Sequence, residues 1–319
     1  MRRLSKSAYS VVALVAAAAL SACVPGLPET AGAPDPVVSS QLWADLVTLS
    51  ADDMEGRGTG TPGGERARNY IVSRFEQIGI AAPPMGRLQP FTAEGRSHEG
   101  RKTFDGVNIL GLIPGTRVGN RYIVVTAHYD HVGMYGGQIY NGADDNASGV
   151  ATMLALAEYL KANPPEHSVL FVAFDGEERG LLGARHFVEA PPFPLESIAL
   201  NLNFDMTARA ETDGHLWVTG TYQHPTLRPL LEGIGPIGTV SLAFGKDRPE
   251  DTGSDNWVSA SDHGAFHAAG VPFLYLGVDF HPDYHKPSDD AERITPAVFG
   301  NATALAIQSF RALDAGMSR

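Results

Sequence analysis

The chain reads as an α/β protein whose central sheet is mainly parallel and covered by helices on both faces. Three observations carry that reading. Apolar runs at 122–127, 169–174, 198–204 and 271–276 are short and have no polar face, as strands buried on both sides require. Helix-period segments at 147–162, 181–188 and 262–269 alternate with them. Residues able to do chemistry stand at or just after the predicted strand ends, where open α/β sheets place their sites.

The elements follow in order. Residues 42–49 predict a short helix, ended by the polar stretch 52–61. The Gly-rich run 59–64 lacks the Gly-Lys-Ser/Thr ending of a phosphate loop and reads as a plain loop. In 65–78, Ala67, Tyr70, Ile71, Phe75 and Ile78 recur at helical spacing, and Gly79 stops the helix. Strands are expected at 88–91 and 107–112, before a turn at Pro114-Gly115. Helix 147–162 sets Val150, Met153, Leu154, Ala157 and Leu160 on one face. Weaker strand patterns fall at 216–218 and 240–244, and 296–313 predicts a closing helix.

The 319 residues allow one large domain or two small ones, and 43% hydrophobic residues is a globular value. A formal charge of -12 argues against nucleic acid and against a polybasic membrane surface. With a single cysteine, Cys23, no intrachain disulfide can form. Residues 1–22 open with Arg2, Arg3 and Lys6 and continue into an apolar run from Val11 to Leu20. This is a secretory signal, too short to span a bilayer comfortably. Its ending, Leu20-Ser21-Ala22-Cys23, resembles a bacterial lipobox. The resemblance implies removal of residues 1–22 and a diacylglycerol on Cys23, with acyl chains as the membrane anchor. Residues 23–40 read as the lipidated Cys and a flexible tether, the coil spanning roughly 20–25 Å. Residues 41–319 form the expected catalytic domain, lipid-anchored in the cell envelope and facing the periplasm or exterior. No insert suggests an oligomer, so a monomer is expected.

Five candidate metal ligands lie near strand ends: His128, Asp144, Glu178, Asp205 and His285. His128 follows the strand 122–127, and Asp130 is placed to receive its second ring N–H. His131 competes for the same role. Asp144, in Asn141-Gly142-Ala143-Asp144-Asp145-Asn146, would bridge two cations while Asp145 or Asn146 caps the following helix. Glu177 and Glu178 repel one another unless a cation compensates, so one would bind metal and the other accept a proton. Asp205 closes an apolar strand and needs a partner there. His285 is the second candidate imidazole, with His281 as its competitor, and Tyr284 could donate to a developing oxyanion. Two carboxylate-bridged ions of this kind cleave amides and esters by activating a shared water. Ser148 lacks the first Gly of a nucleophile elbow. His263 and His267 lack the Glu of a zinc-helix motif and read as structural.

Taken together, Ala127-His128-Tyr129-Asp130, the 142–149 segment, Gly176-Glu177-Glu178, Asn203-Phe204-Asp205-Met206 and Tyr284-His285 resemble the M28 peptidases. The likeness extends to Glu55-Gly56-Arg57, Gly63-Gly64-Glu65-Arg66 and Ser261-Asp262-His263. It implies a zinc-peptidase-like αβα sandwich with a mixed sheet, and two zinc ions bridged by Asp144. His128 and Asp205 would complete one ion's shell, Glu178 and His285 the other's. Glu177 would be the general base, Tyr284 would polarise the scissile carbonyl, and the Asp144–Asp145 peptide would be cis. The implied activity is removal of N-terminal residues from peptides outside the cytoplasm. Carboxypeptidase, dipeptidase and glutaminyl cyclase activities are the alternatives on this scaffold. For the anchor, Cys23→Ser is expected to move the protein from the membrane to the soluble fraction after cell fractionation; a variant that stays membrane-bound would exclude acylation as the anchor.

Overall fold

A computed structural model describes residues 36–318, and all of these belong to one compact unit. The leader, Cys23 and most of the expected tether lie outside the described residues. The chain begins with α1 (Pro36–Leu49), a 3-10 turn at Asp52–Arg57 and α2 (Pro62–Ile78). A long hairpin, β1 (Leu88–Ser97) and β2 (Gly100–Ile113), leads to β3 (Val118–His128) and a small hairpin of β4 (Gly133–Tyr135) and β5 (Gln138–Tyr140). An irregular turn at Ala143–Ser148 enters α3 (Gly149–Ala162). Then come β6 (His167–Phe174), α4 (Leu182–Glu189), β7 (Ile198–Phe204), β8 (His215–Thr219), α5 (Arg228–Leu231) and β9 (Ser241–Phe244). Last are α6 (His263–Ala268), β10 (Phe273–Gly277) and α7 (Pro296–Met317).

Eight strands form one mixed sheet in the order β1-β2-β6-β3-β7-β10-β8-β9. Its centre, β6-β3-β7-β10, is parallel throughout. The antiparallel joins are β1 with β2, β2 with β6, and β10 with β8. From β3 the chain goes first to β6 on one side and then crosses to β7 on the other. That reversal opens a crevice at the carboxyl ends of the central strands.

Both faces of the sheet are covered, and the strand period sorts side chains between them. In β6, Val169, Phe171 and Ala173 enter the larger core with Ile71 and Phe75 of α2, Val150 and Leu154 of α3, and Phe310 of α7. Leu170, Val172 and Phe174 face the other way, onto Phe187 of α4 and Phe266 of α6. Each of these buried side chains larger than alanine contributes about 1.5–3 kcal/mol. Cross-strand pairing sets Val124 against Leu170 and His128 against Phe174. The last residue of β3 is therefore level with the end of β6, and the Asp175–Glu178 loop leaves the sheet beside the His128 ring.

Some elements differ from the sequence expectation. α1 begins at Pro36, so residues 36–40 of the expected tether are helical. α2 begins at Pro62, inside the expected Gly-rich loop, where the Thr61 hydroxyl accepts the Gly64 N–H at 3.3 Å. Proline suits that first position because its missing N–H would have no partner there. β1 and β2 extend well past 88–91 and 107–112 as a polar, half-exposed hairpin, and β4, β5 and α5 had no counterpart.

One buried charge ties the loops of the crevice together. Arg57 is fully buried and donates to four carbonyl oxygens: Leu49 at 2.7 Å, Tyr129 at 2.8 Å, Asn141 at 2.5 Å and Gly142 at 2.9 Å. Burial lowers its guanidinium to about 10, against the pull of Asp145 and Asp289. Only a planar fork of donors serves so many acceptors at once. Arg57→Met should lower stability by at least about 3 kcal/mol, because it strands several buried carbonyls. Arg57→Lys should recover only part of that loss in denaturant unfolding.

Candidate metal centre and active site

Four strand ends supply the site. β3 presents His128 and then Asp130 and His131. The turn before α3 presents Asp145, the loop after β6 Glu177 and Glu178, and the end of β7 Asp205. His285, with φ 53°, stands on the loop after β10. These groups converge in two sets that share one carboxylate: His128, Asp145 and Asp205, and His131, Asp145 and Glu178.

In the first set His128 Nε2 lies 3.2 Å from Asp205 Oδ1 and 3.4 Å from Asp145 Oδ1. In the second, Asp145 Oδ2 lies 3.0 Å from His285 Nε2 and 3.7 Å from His131 Nδ1. Glu178 Oε1 is 3.5 Å from the same His285 nitrogen. The two oxygens of Asp145 thus face opposite groups, as a bridging ligand requires.

The structure therefore places Asp145, not the expected Asp144, between the two sets. Asp144 is buried one residue away and is already used. Its Oδ1 accepts the Ala208 N–H at 2.7 Å and the Ser148 hydroxyl at 3.1 Å, and its Oδ2 lies 3.1 Å from His281 Nε2. The cis peptide is Asp145–Asn146, not Asp144–Asp145. Capping belongs to Asn146, whose side-chain oxygen accepts the N–H of Gly149 at the start of α3. Side chains of adjacent residues point in different directions, so a one-residue choice on an acidic loop is decided by the backbone path. The same geometry separates the histidines: His281 pairs with Asp144, while His285 faces Asp145 and Glu178.

Positioning comes from groups with no direct place in either set. His128 Nδ1 lies 3.0 Å from the backbone oxygen of Asp130, closer than the 3.8 Å to its carboxylate, which was the expected partner. The Asp130 carboxylate instead accepts the N–H groups of Glu177 at 3.0 Å and Glu178 at 3.3 Å and the Thr59 hydroxyl at 3.1 Å. It thereby fixes the loop that carries both glutamates. Asp289 does the same for the other loop, accepting the N–H groups of Asp144 and Asp145. Neither Asp289 nor Arg57 was picked out as part of the site from sequence, since their partners are backbone groups distant in the chain.

The electrostatics describe a space short of positive charge. Burial pushes Glu177 well above the usual carboxylate range, and the charges of Asp262, Glu178 and Asp205 add to it. Asp262, fully buried with neither oxygen hydrogen-bonded, is raised by burial and by Asp130 and Asp205. Burial also raises Asp130, to about 7. Burial opposes a charged His285, yet Asp145 and Glu178 push its imidazole up to about 11. Glu178 resists the effect of its own burial and is held well below its ordinary range by His131 and His285. Buried carboxylates and imidazoles with unpaired atoms are the donor set of zinc and similar divalent ions, and a cation here would let all the carboxylates ionise.

Glu177, Tyr284 and the first set line one cleft with Trp257, Tyr275 and Phe280. The Tyr284 ring stacks on His285 with centroids 4.0 Å apart. Burial and the nearby carboxylates raise its phenol, so it stays a hydrogen-bond donor. His263 is bound at 2.7 Å to the Trp257 carbonyl, stacks on Phe273, and is lowered by burial to about 4. That is a structural histidine. Ser148, buried and bonded to Asp144, is no exposed nucleophile.

This fold with these two donor sets defines an α/β scaffold with a candidate metal centre at the strand ends. Residues 108–310 match the model of Peptidase family M28, and the chain belongs to that family. It is 33% identical over 202 residues to the aminopeptidase YwaD of Bacillus subtilis, covering 59% of this chain and 40% of that protein. Its fold is similar to that of BSAP, a zinc aminopeptidase from Bacillus subtilis, with a TM-score of 0.64 at 19% identity over 86% of this chain and 97% of the other. It is comparably similar to the glutaminyl cyclase of Porphyromonas gingivalis, with a TM-score of 0.66 at 18% identity over 85% and 97%. The chain spans less than half the length of YwaD, and the two structural likenesses show the fold alone.

The position of Asp145 has a direct consequence. Zinc should raise the melting temperature of the chelator-treated protein by about 8–16 °C when present at about 1,000 times its Kd. Asp145→Asn should abolish most of that rise. Asp144→Asn should keep it, whatever its own stability. The reverse ranking in a thermal-shift titration would return the bridge to Asp144.

Proposed function

We propose that the chain is a two-metal aminopeptidase that removes N-terminal residues from peptides outside the cytoplasm. The observation that carries this reading is the single carboxylate, Asp145, set between two donor groups with Glu177 beside it in the same cleft. One zinc ion would sit with His128, Asp145 and Asp205, the other with Asp145, Glu178 and His285. When bound, they would supply Lewis acidity that polarises the scissile carbonyl and makes a water nucleophilic near neutral pH.

The rest is done by the chain. Glu177 would take the proton of the attacking water and deliver it to the departing amine. The Tyr284 phenol would donate to the oxyanion as it forms. Trp257, Tyr275 and Phe280 would receive an apolar side chain. The amino end of the peptide would be the end that is cleaved. Aminopeptidase activity in the relative YwaD supports the same choice.

The export reading completes the proposal. Cleavage before Cys23 and its acylation would place the enzyme on the envelope, facing the periplasm or exterior, as a lipid-anchored monomer.

Glu177→Gln should retain both metals and lose kcat by about 10²- to 10⁴-fold; near-normal turnover would remove Glu177 as the base. Mass spectrometry of products from free, N-acetylated and C-amidated forms of one peptide tests the direction of cleavage. Loss of N-terminal residues, blocked by acetylation and not by amidation, is expected. Loss from the other end, blocked by amidation, would make the enzyme a carboxypeptidase, and no cleavage of any form would exclude a general exopeptidase.

A further inference from the structure

His131 has no role in the ligand set just described, yet among the described residues no hydrogen bond satisfies its ring. The imidazole is fully buried, and neither ring nitrogen makes a hydrogen bond. Such a group is unfavourable unless something polar is meant to meet it. Nδ1 is 2.7 Å from Glu178 Oε1, without the alignment of a hydrogen bond, and Glu178 Oε1 is itself buried with no hydrogen-bond donor.

The surrounding backbone makes room for this ring. A Cβ on Gly142 would lie 2.5 Å from His131 Cδ2, and Gly142 also has a φ of 55°, which disfavours other residues. The His131 N–H reaches the Arg57 carbonyl at 3.4 Å, so the residue belongs to the same loop network as Asp145. His285, by contrast, approaches from a loop and is 42% exposed.

Four donor atoms therefore surround one point: His131 Nδ1, His285 Nε2, Glu178 Oε1 and Asp145 Oδ2. The four imidazole-to-carboxylate separations among them are 2.7, 3.0, 3.5 and 3.7 Å. A tetrahedral ion with bonds of about 2.0–2.1 Å sets its ligand atoms about 3.3 Å apart. The four distances scatter around that value.

We propose that His131 is a fourth protein ligand, through Nδ1, of the ion shared by Asp145, Glu178 and His285. This rests on the reading of a two-ion site. It divides labour between the ions. Four protein donors close the Glu178 site, as in structural zinc sites, whereas His128, Asp145 and Asp205 give three donors and leave a coordination position open toward the cleft. The closed site is then held more tightly.

The full-length protein in detergent, loaded with cobalt(II), tests this by proton NMR in water. Each cobalt-bound imidazole contributes one exchangeable, strongly shifted N–H resonance. Three are expected in the unsubstituted protein, and His131→Gln should remove one and leave the other two. In competition with a chromophoric chelator, the tighter of two binding events should weaken 100-fold or more in His131→Gln. Two exchangeable resonances in the unsubstituted protein would overturn the proposal without recourse to any variant, as would three resonances all retained in a folded His131→Gln or His131→Asn. Saturation at one equivalent of cobalt would defeat the two-ion reading instead; His131 would still count as a ligand if its substitution removed a resonance from that ion, and would be overturned if it did not.

Discussion

The site depends on holding one buried carboxylate in the middle of many like charges. Asp145 faces His128 with one oxygen and His285 with the other, with Glu178, Glu177, Asp205 and Asp130 packed around it. Concentrating carboxylates away from water is costly unless cations compensate, and the imidazoles available are too few. Two perturbations point the same way: burial raises the Glu177 carboxyl well above its usual range, and, against the effect of its own burial, the His285 imidazole is raised by Asp145 and Glu178. Divalent ions would relieve both, and that electrostatic demand explains why so many polar side chains are buried at the strand ends.

Holding Asp145 in place is the work of residues that touch no substrate. Arg57 joins the end of α1, the segment after β3 and the loop at 141–142 through four carbonyls. Asp289 receives the amides of Asp144 and Asp145, and Asp130 receives those of Glu177 and Glu178. In each case a charged side chain is spent on backbone groups, which fixes a loop's path more firmly than side-chain pairs would. The register of β3 against β6 and β7 supplies the other half of the precision, because it sets the height at which each loop leaves the sheet.

The fold alone does not choose the reaction. A zinc aminopeptidase and a glutaminyl cyclase are nearly equal structural neighbours of this chain, so the choice falls to particular groups. The carboxylates at the strand ends and the aromatic wall at Trp257 and Phe280 are the groups of this chain on which that choice would turn. A closed site beside an open one would give the two ions unequal duties within one carboxylate-bridged pair.

Sequence by itself determined the layered α/β architecture, because fully buried parallel strands must be apolar throughout and their crossover helices must be amphipathic. It also determined which segments carry the site, since polar residues directly after such strands have few reasons to be there. What it could not decide were choices between near neighbours: it preferred Asp144 to Asp145, which the structure reverses, and it kept His131 and His281 as competitors of His128 and His285. Those turn on which way a side chain leaves a tight loop, and the loop paths are fixed by Arg57, Asp130 and Asp289 from distant points in the chain. The start of α2 at Pro62 and the long β1–β2 hairpin escaped for a related reason, their polar residues being indistinguishable from loop until a capping hydroxyl or a partner strand was in place. Only tertiary structure could decide them, because the deciding hydrogen bonds join backbone to side chains up to 145 residues apart.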